Sequence, residues 1–135
     1  MIQYSRETAE FDDPTGCKGR FGVIVVGPLE LQTIERAEGF KWLRPGKYDC
    51  EMGIMIGSDD SASRAIRVLG EYSKGRIYIH KANYPNQLSG CIAVGMKRSN
   101  VGLIDSAEAM DYLFDALGGW ELHRPLGLEV SGAPV

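Results

Sequence analysis

His80 and Cys91 are the residues of this chain best suited to covalent chemistry. A cysteine becomes a nucleophile when a neighbour stabilises its thiolate. A histidine can do that, and can later protonate a leaving amine. Both lie in residues 76–95, RIYIHKANYPNQLSGCIAVG. There a β-branched run ends at His80, a polar loop follows, and Ser89-Gly90-Cys91 opens a second apolar run. The simplest folding of this stretch is an antiparallel hairpin with residues 82–89 as its loop. Pairing His80 with Cys91 sets Ile79 against Ile92 and Ile77 against Val94. Strand alternation then puts His80 and Cys91 on one face with Arg76, Tyr78 and Ala93, and the aliphatic residues on the other. Opposed Cβ atoms are about 4.5–5.5 Å apart, near enough for an imidazole and a thiol to interact.

The chemistry this predicts is acyl transfer. Cys91 attacks a carbonyl, His80 shuttles the proton, and backbone N–H groups around Gly90 and Cys91 hold the oxyanion. Ser89 and Asn83 would orient the ring or bind substrate amides, while Lys81 points from the opposite face. The alternative is a half-buried His–Cys pair without chemistry. Two such residues do not make a zinc site, so neither a metal nor a cofactor is expected. His123, before Arg124-Pro125, reads as an exposed loop histidine, with a third group for the pair as its other reading.

The elements that position this pair read as mainly β. Residues 1–6 form a short strand, and the acidic, Pro/Gly-containing residues 7–20 form a loop holding Cys17 as a solvent-facing or half-buried thiol. Residues 21–26 (FGVIVV) and 29–36 (LELQTIER) form a hairpin around Gly27-Pro28. Its second strand turns Leu29, Leu31 and Thr33 one way and Glu30, Gln32 and Ile34 the other. Glu35-Arg36 at its end reads as a solvated charged pair. Residues 48–56 place Tyr48, Cys50, Met52 and Ile54 on one face, which makes Cys50 a small core hydrophobe. Residues 57–63 are a loop, 65–69 a short strand, 71–75 a turn, and 96–102 a polar loop. Asp105 and Glu108 match a capping box, and Ala109, Met110, Leu113, Phe114 and Leu117 recur at helical spacing until Gly118-Gly119. Residues 120–130 hold a last strand, and 131–135 are a tail. The expected fold is mainly β (α+β), a single domain over residues 1–135. It is a small barrel or sandwich of short strands with one helix, in the C-terminal half, packed on it.

Composition narrows the function. A net charge of -3 over 135 residues offers no basic surface for nucleic acid or anionic membrane. No apolar run approaches the roughly 20 residues a membrane helix needs. The polar, acidic start MIQYSRETAEFDD predicts no signal peptide. Three irregularly spaced cysteines predict free thiols rather than a disulfide framework.

Ile79-His80 followed by Ser89-Gly90-Cys91-Ile92 resembles the active-site signature of YkuD-type L,D-transpeptidases. Those mainly β domains carry an upstream histidine and a Ser/Thr-His-Gly-Cys segment. The resemblance implies that His80 is the upstream catalytic histidine, Gly90 the glycine and Cys91 the nucleophile. Ser89 stands where that family has its second histidine, and Ala93 where it has arginine or asparagine. The His-to-Cys spacing is shorter. Most of the chain is also similar to a family of small phage and bacterial domains. In these a Thr-x-Glu strand end, a Pro-Gly-x-Tyr turn, an Ile-His-x-x-Asn and a Gly-Cys-Ile-x-Val-Gly recur in order. Here they are Thr33/Glu35, Pro45/Gly46/Tyr48, Ile79/His80/Asn83 and Gly90/Cys91/Ile92/Val94/Gly95. This second likeness implies a phage or prophage origin and adds Glu35 and Tyr48 to Asn83 as substrate-positioning residues.

Residues and resemblance together predict a cysteine peptidase or transpeptidase-like hydrolase acting on peptidoglycan stem peptides, for host lysis or tail-borne wall penetration. It would be made in the host cytoplasm and reach the wall after holin release or within a virion. The alternatives are a non-catalytic tail or baseplate component, with other virion proteins as partners, and a wall-, carbohydrate- or peptide-binding module on the same fold.

Overall fold

Strand alternation closes on itself in this chain. The computed structural model describes residues 1–38, 43–57, 61–70 and 77–132. Strands β1 (Ile2–Asp12), β2 (Lys18–Val26), β3 (Leu29–Arg36), β4 (Gly46–Ile56), β5 (Ala62–Val68), β6 (Ile77–Lys81), β7 (Ile92–Gly95) and the C-terminal Pro125–Ser131 form a closed barrel. Between β7 and that last strand lie the two-residue strands β8 (Lys97–Arg98) and β9 (Leu103–Ile104), which pair with each other, and helix α1 (Ser106–Ala116); the last strand is therefore β10. The order around the barrel is β1-β10-β4-β5-β6-β7-β3-β2. Neighbours are antiparallel except at β1–β10 and β6–β7, which are parallel. The fold is thus mainly β, a small barrel with one helix packed on it among the described residues.

The inward positions are those the alternation predicts: Ile24 and Val26 on β2, Leu31 on β3, Cys50 and Met52 on β4, and Ile66 and Val68 on β5. Cys50 is a core hydrophobe, and burial, then Asp49, pushes its thiol up to about 12. The apolar stripe of α1, Ala109, Met110, Leu113 and Phe114, joins the same core. A second cluster lies on the outer face, where Ile34, Cys91 and Ala93 meet Leu88 and Leu103.

Several expectations are corrected. Residues 7–20 are not one loop. β1 runs on to Asp12, and after an irregularity between Arg6 and Glu10 it pairs Glu10 with Arg20 and Asp12 with Lys18. Glu7, Glu10 and Asp12 sit on a solvated ribbon held by the Phe11–Phe21 stack at 4.1 Å and the Glu10–Arg20 ion pair at 3.0 Å. Residues 96–102 include a strand of a small ladder rather than only loop. Ile54 is 41% exposed, because the β4–β5 ribbon continues beyond Ile66, the first β5 residue paired to β6. Asp105 does precede α1, but its side chain caps no amide. Its left-handed backbone (φ 56°) departs from the extended N-cap geometry that aims a carboxylate at the first turn.

The central hairpin is the main correction. β6 and β7 are parallel, with Ile79 beside Ile92 and His80 beside Ala93. Parallel neighbours need a crossover, and residues 82–91 provide it. That segment carries a 3-10 turn, Pro85–Gln87, and buries Leu88 over the outer face. Leu88 is the one large aliphatic of the loop, and burying it sends the chain back outside the barrel instead of turning tightly.

Candidate functional site

His80 ends on the outer face of β6. Ala93 lies beside it on β7, and the β5 register places Ala65 on its other side. These small neighbours leave room for the imidazole beside the barrel wall, and His80 is only 5% exposed. Its Nδ1 lies 2.8 Å from the Lys81 carbonyl oxygen. A carbonyl only accepts, so Nδ1 carries the proton and Nε2 offers a lone pair. Nε2 has no partner among the described residues. Burial pushes the His80 pKa down, against the raising effect of that backbone bond, so the ring is neutral at pH 7.

This shift has a measurable consequence. The unfolded histidine, near 6.5, takes up a proton before the folded one as pH falls. The contribution of His80 to stability is therefore complete above about 6.5 and declines as pH drops toward the folded value. Urea unfolding at pH 7.5 and pH 5 should show a larger loss for the natural protein than for His80→Gln. Equal losses would rule this out.

Cys91 shares the outer face with His80 but does not oppose it. Extending the parallel register by one place puts Cys91 beside Tyr78, two residues along from His80 and roughly 8 Å away between Cα atoms. Its side chain packs with Ile34, Leu88, Ala93 and Leu103, at 7% exposure. Burial raises the thiol pKa, and backbone groups of Tyr78 and Ser89 offset this only in part. A thiolate–imidazolium pair would show the reverse pattern, with the thiol lowered and the ring raised.

The other expected residues scatter. Asn83 is exposed and lines a cleft with His80, whereas Ser89 is exposed and lies outside that lining. Gly90 has φ 88°, so its glycine is required by the backbone of the crossover itself. Tyr48 is half-buried against the core, and its hydroxyl donates to the Arg44 carbonyl at 2.8 Å. Glu35 is not solvated. It is 2% exposed inside the barrel, paired with Arg6 and accepting from Tyr4. His123 is exposed, its Nδ1 3.6 Å from Glu51 Oε2. Arg76 lies outside the described residues.

The cleft beside His80 has a volume of about 850 Å3. Ser63 of β5, Asn83 and Gln87 of the crossover, and Ser106 and Glu108 of α1 are among its lining residues. Ser106 fixes its floor: its hydroxyl accepts from the Ala82 amide at 2.9 Å and donates to the Val94 carbonyl at 2.5 Å, tying α1 to β6 and β7. Gln87 Oε1 accepts the amides of Asn83 and Tyr84 and so shapes the crossover. Sequence reasoning missed Ser63, Gln87, Ser106 and Glu108 as site residues. The signal that could have found Ser106 and Glu108 is the helix start only two dozen residues after His80, short enough to bring its first turn back to the end of β6. Among the described residues there is no group of three or more His, Cys, Asp or Glu able to hold a metal ion, and no helix long and apolar enough to cross a membrane.

Comparison with known proteins adds no relative: no family model matches the sequence, and neither a curated protein nor a solved structure is significantly similar to it.

Proposed function

We propose that the chain is a non-catalytic recognition module that binds a polar ligand in the cleft at His80, the peptide of the bacterial wall being the target class that the sequence resemblance implies. One contrast carries this reading. His80, whose Nε2 has no partner among the described residues, lines a polar cleft, while Cys91 is packed in an apolar cluster with its thiol pKa raised. Such a pocket, with a few placed polar groups, is the ordinary form of a ligand site. A phage would use such a module in a virion or beside a lytic enzyme.

Purified sacculi test the proposal. The protein should co-sediment with them, His80→Ala should weaken that binding about tenfold, and Cys91→Ala should leave it unchanged. No muropeptides should be released. Release that Cys91→Ala abolishes would overturn the proposal in favour of a cysteine hydrolase.

The hydrolase reading has one observation in its favour, the outer face shared by His80 and Cys91. It requires an activated thiol. Iodoacetamide at neutral pH should instead modify Cys91 at least about tenfold more slowly than a free cysteine, by peptide mapping that separates it from Cys17 and Cys50. Modification as fast as free cysteine would restore the hydrolase.

A further inference from the structure

We infer that the cleft takes an α-carboxylate whose adjacent nitrogen donates a hydrogen bond, with the carboxylate on the first turn of α1 and the N–H on Nε2 of His80. The inference rests on the binding-module reading and names the ligand's chemistry.

The first helical bond of α1 runs from the Ala109 amide to the Asp105 carbonyl at 3.0 Å, and the Asp105 side chain caps nothing. The amides of Ser106, Ala107 and Glu108 therefore have no intrahelical partner, and no side chain among the described residues accepts from them. All three residues line the cleft. An uncapped first turn offers converging N–H donors and the positive end of the helix dipole, which together suit an anion.

His80 is the independent second feature. It is buried, its Nδ1–H is committed to Lys81, and Nε2 can only accept while the ring is neutral. The ligand must supply a donor there. The Gln87 side-chain oxygen is already used by two backbone amides, which leaves its N–H groups for a ligand oxygen.

Charge selects among anions. Asp105 and Glu108 border the same turn, and Lys81 is the one cation lining the cleft among the described residues. Among the described residues, two carboxylates against one ammonium disfavour a dianionic phosphate. They suit a single carboxylate beside an N–H, and more so beside an ammonium. Two sources present this group: the C-terminus of a peptide and a free amino acid.

The test is titration of the 15N-labelled full chain at pH 7.5 with alanyl-alanine, its C-terminal amide, free alanine and inorganic phosphate. The dipeptide should move the amide resonances of Ser106, Ala107 and Glu108 and the Nε2 resonance of His80. The C-terminal amide should bind at least tenfold more weakly. Ala107→Pro removes one first-turn N–H where proline is tolerated, and should weaken the dipeptide about tenfold with the rest of the spectrum unchanged. His80→Ala should weaken it in the same direction and serves if the proline variant does not fold. A dipeptide tighter than alanine assigns a peptide end; equal or tighter alanine assigns a free amino acid; both uphold the inference. Equal binding of acid and amide forms, or tighter binding of phosphate, overturns it. Wall fragments that move the cleft resonances when the dipeptide does not overturn the carboxylate and leave the binding module standing. Wall fragments that leave the cleft unmoved overturn the module itself.

Discussion

Glu35→Ala should lower the unfolding free energy by about 3–5 kcal/mol, the cost of leaving a buried charge without its partner. For a chain this long that corresponds to a melting temperature about 10–18 °C lower. Glu35 sits inside the barrel. It accepts from the Tyr4 hydroxyl at 2.8 Å, pairs with Arg6 Nε, and takes a second bond from Arg6 at 3.2 Å. The Arg6 side chain has no exposed surface, and its remaining terminal nitrogen donates to the Leu43 carbonyl at 2.6 Å. Burial alone would lower the Arg6 pKa, but Glu35 outweighs it, so the guanidinium stays charged. Burial, then Glu35, lifts Tyr4 well above its ordinary value, which keeps it protonated as a donor.

Removing the carboxylate strands Arg6 and leaves the Tyr4 hydroxyl unmatched. Removing both charges is different. Arg6→Met combined with Glu35→Leu should recover stability to within about 2 kcal/mol of the natural protein, because apolar replacement of a buried pair is often neutral. A Glu35→Ala loss below about 1 kcal/mol in urea unfolding would show that the network contributes little. The same variant, once folded, should bind cleft ligands unchanged, since Glu35 is buried against Tyr4 and Arg6 and does not line the cleft. A loss of ligand affinity would return Glu35 to substrate positioning.

The inward–outward pattern was legible because it needs only period two. Leu31 and Thr33 face in and Ile34 faces out, as alternation requires. The helix was legible from Ala109, Met110, Leu113 and Phe114. The direction of β7 was not. Ile79 pairs with Ile92 in both the antiparallel reading and the parallel ladder, so the hydrophobic register cannot distinguish them. Only the path of residues 82–91 decides, and that depends on contacts distant in sequence, such as Leu88 with Ile34. Glu35 misled for a similar reason. Its partners Tyr4 and Arg6 come from β1, about thirty positions away, and nothing local marks the end of β3 as buried. The cleft was not legible because one of its walls is the first turn of α1, brought to β6 by Ser106.

The same distant contacts make Asp13 a lever on the cleft. Asp13→Ala should cost about 2–4 kcal/mol, because a buried carboxylate that accepts several hydrogen bonds leaves stranded donors behind. Its Oδ1 accepts from the Thr15 amide at 2.8 Å, the Thr15 hydroxyl at 2.6 Å and the Cys17 amide at 3.0 Å, closing the turn between β1 and β2. Its Oδ2 accepts from the Asn86 amide at 3.1 Å, inside the 3-10 turn that carries Gln87. Burial raises the Asp13 pKa, but these bonds outweigh it and hold the carboxyl below its usual value of 3.8. A carboxyl lowered on folding stabilises above the unfolded value, and that stability is lost as pH falls through the folded one. The acid limb of the stability profile should therefore flatten in Asp13→Asn. The asparagine keeps one oxygen. With that oxygen on the β1–β2 turn, it sets an N–H against the Asn86 amide; flipped, it sets that N–H against the two amides of Thr15 and Cys17 instead. The first arrangement costs less, so the variant should fold while its crossover loosens. Affinity at the cleft should then drop several-fold with no cleft residue changed. Unchanged affinity in the folded variant would mean that the crossover keeps its shape without Asp13, and that the β1–β2 turn and the cleft are uncoupled.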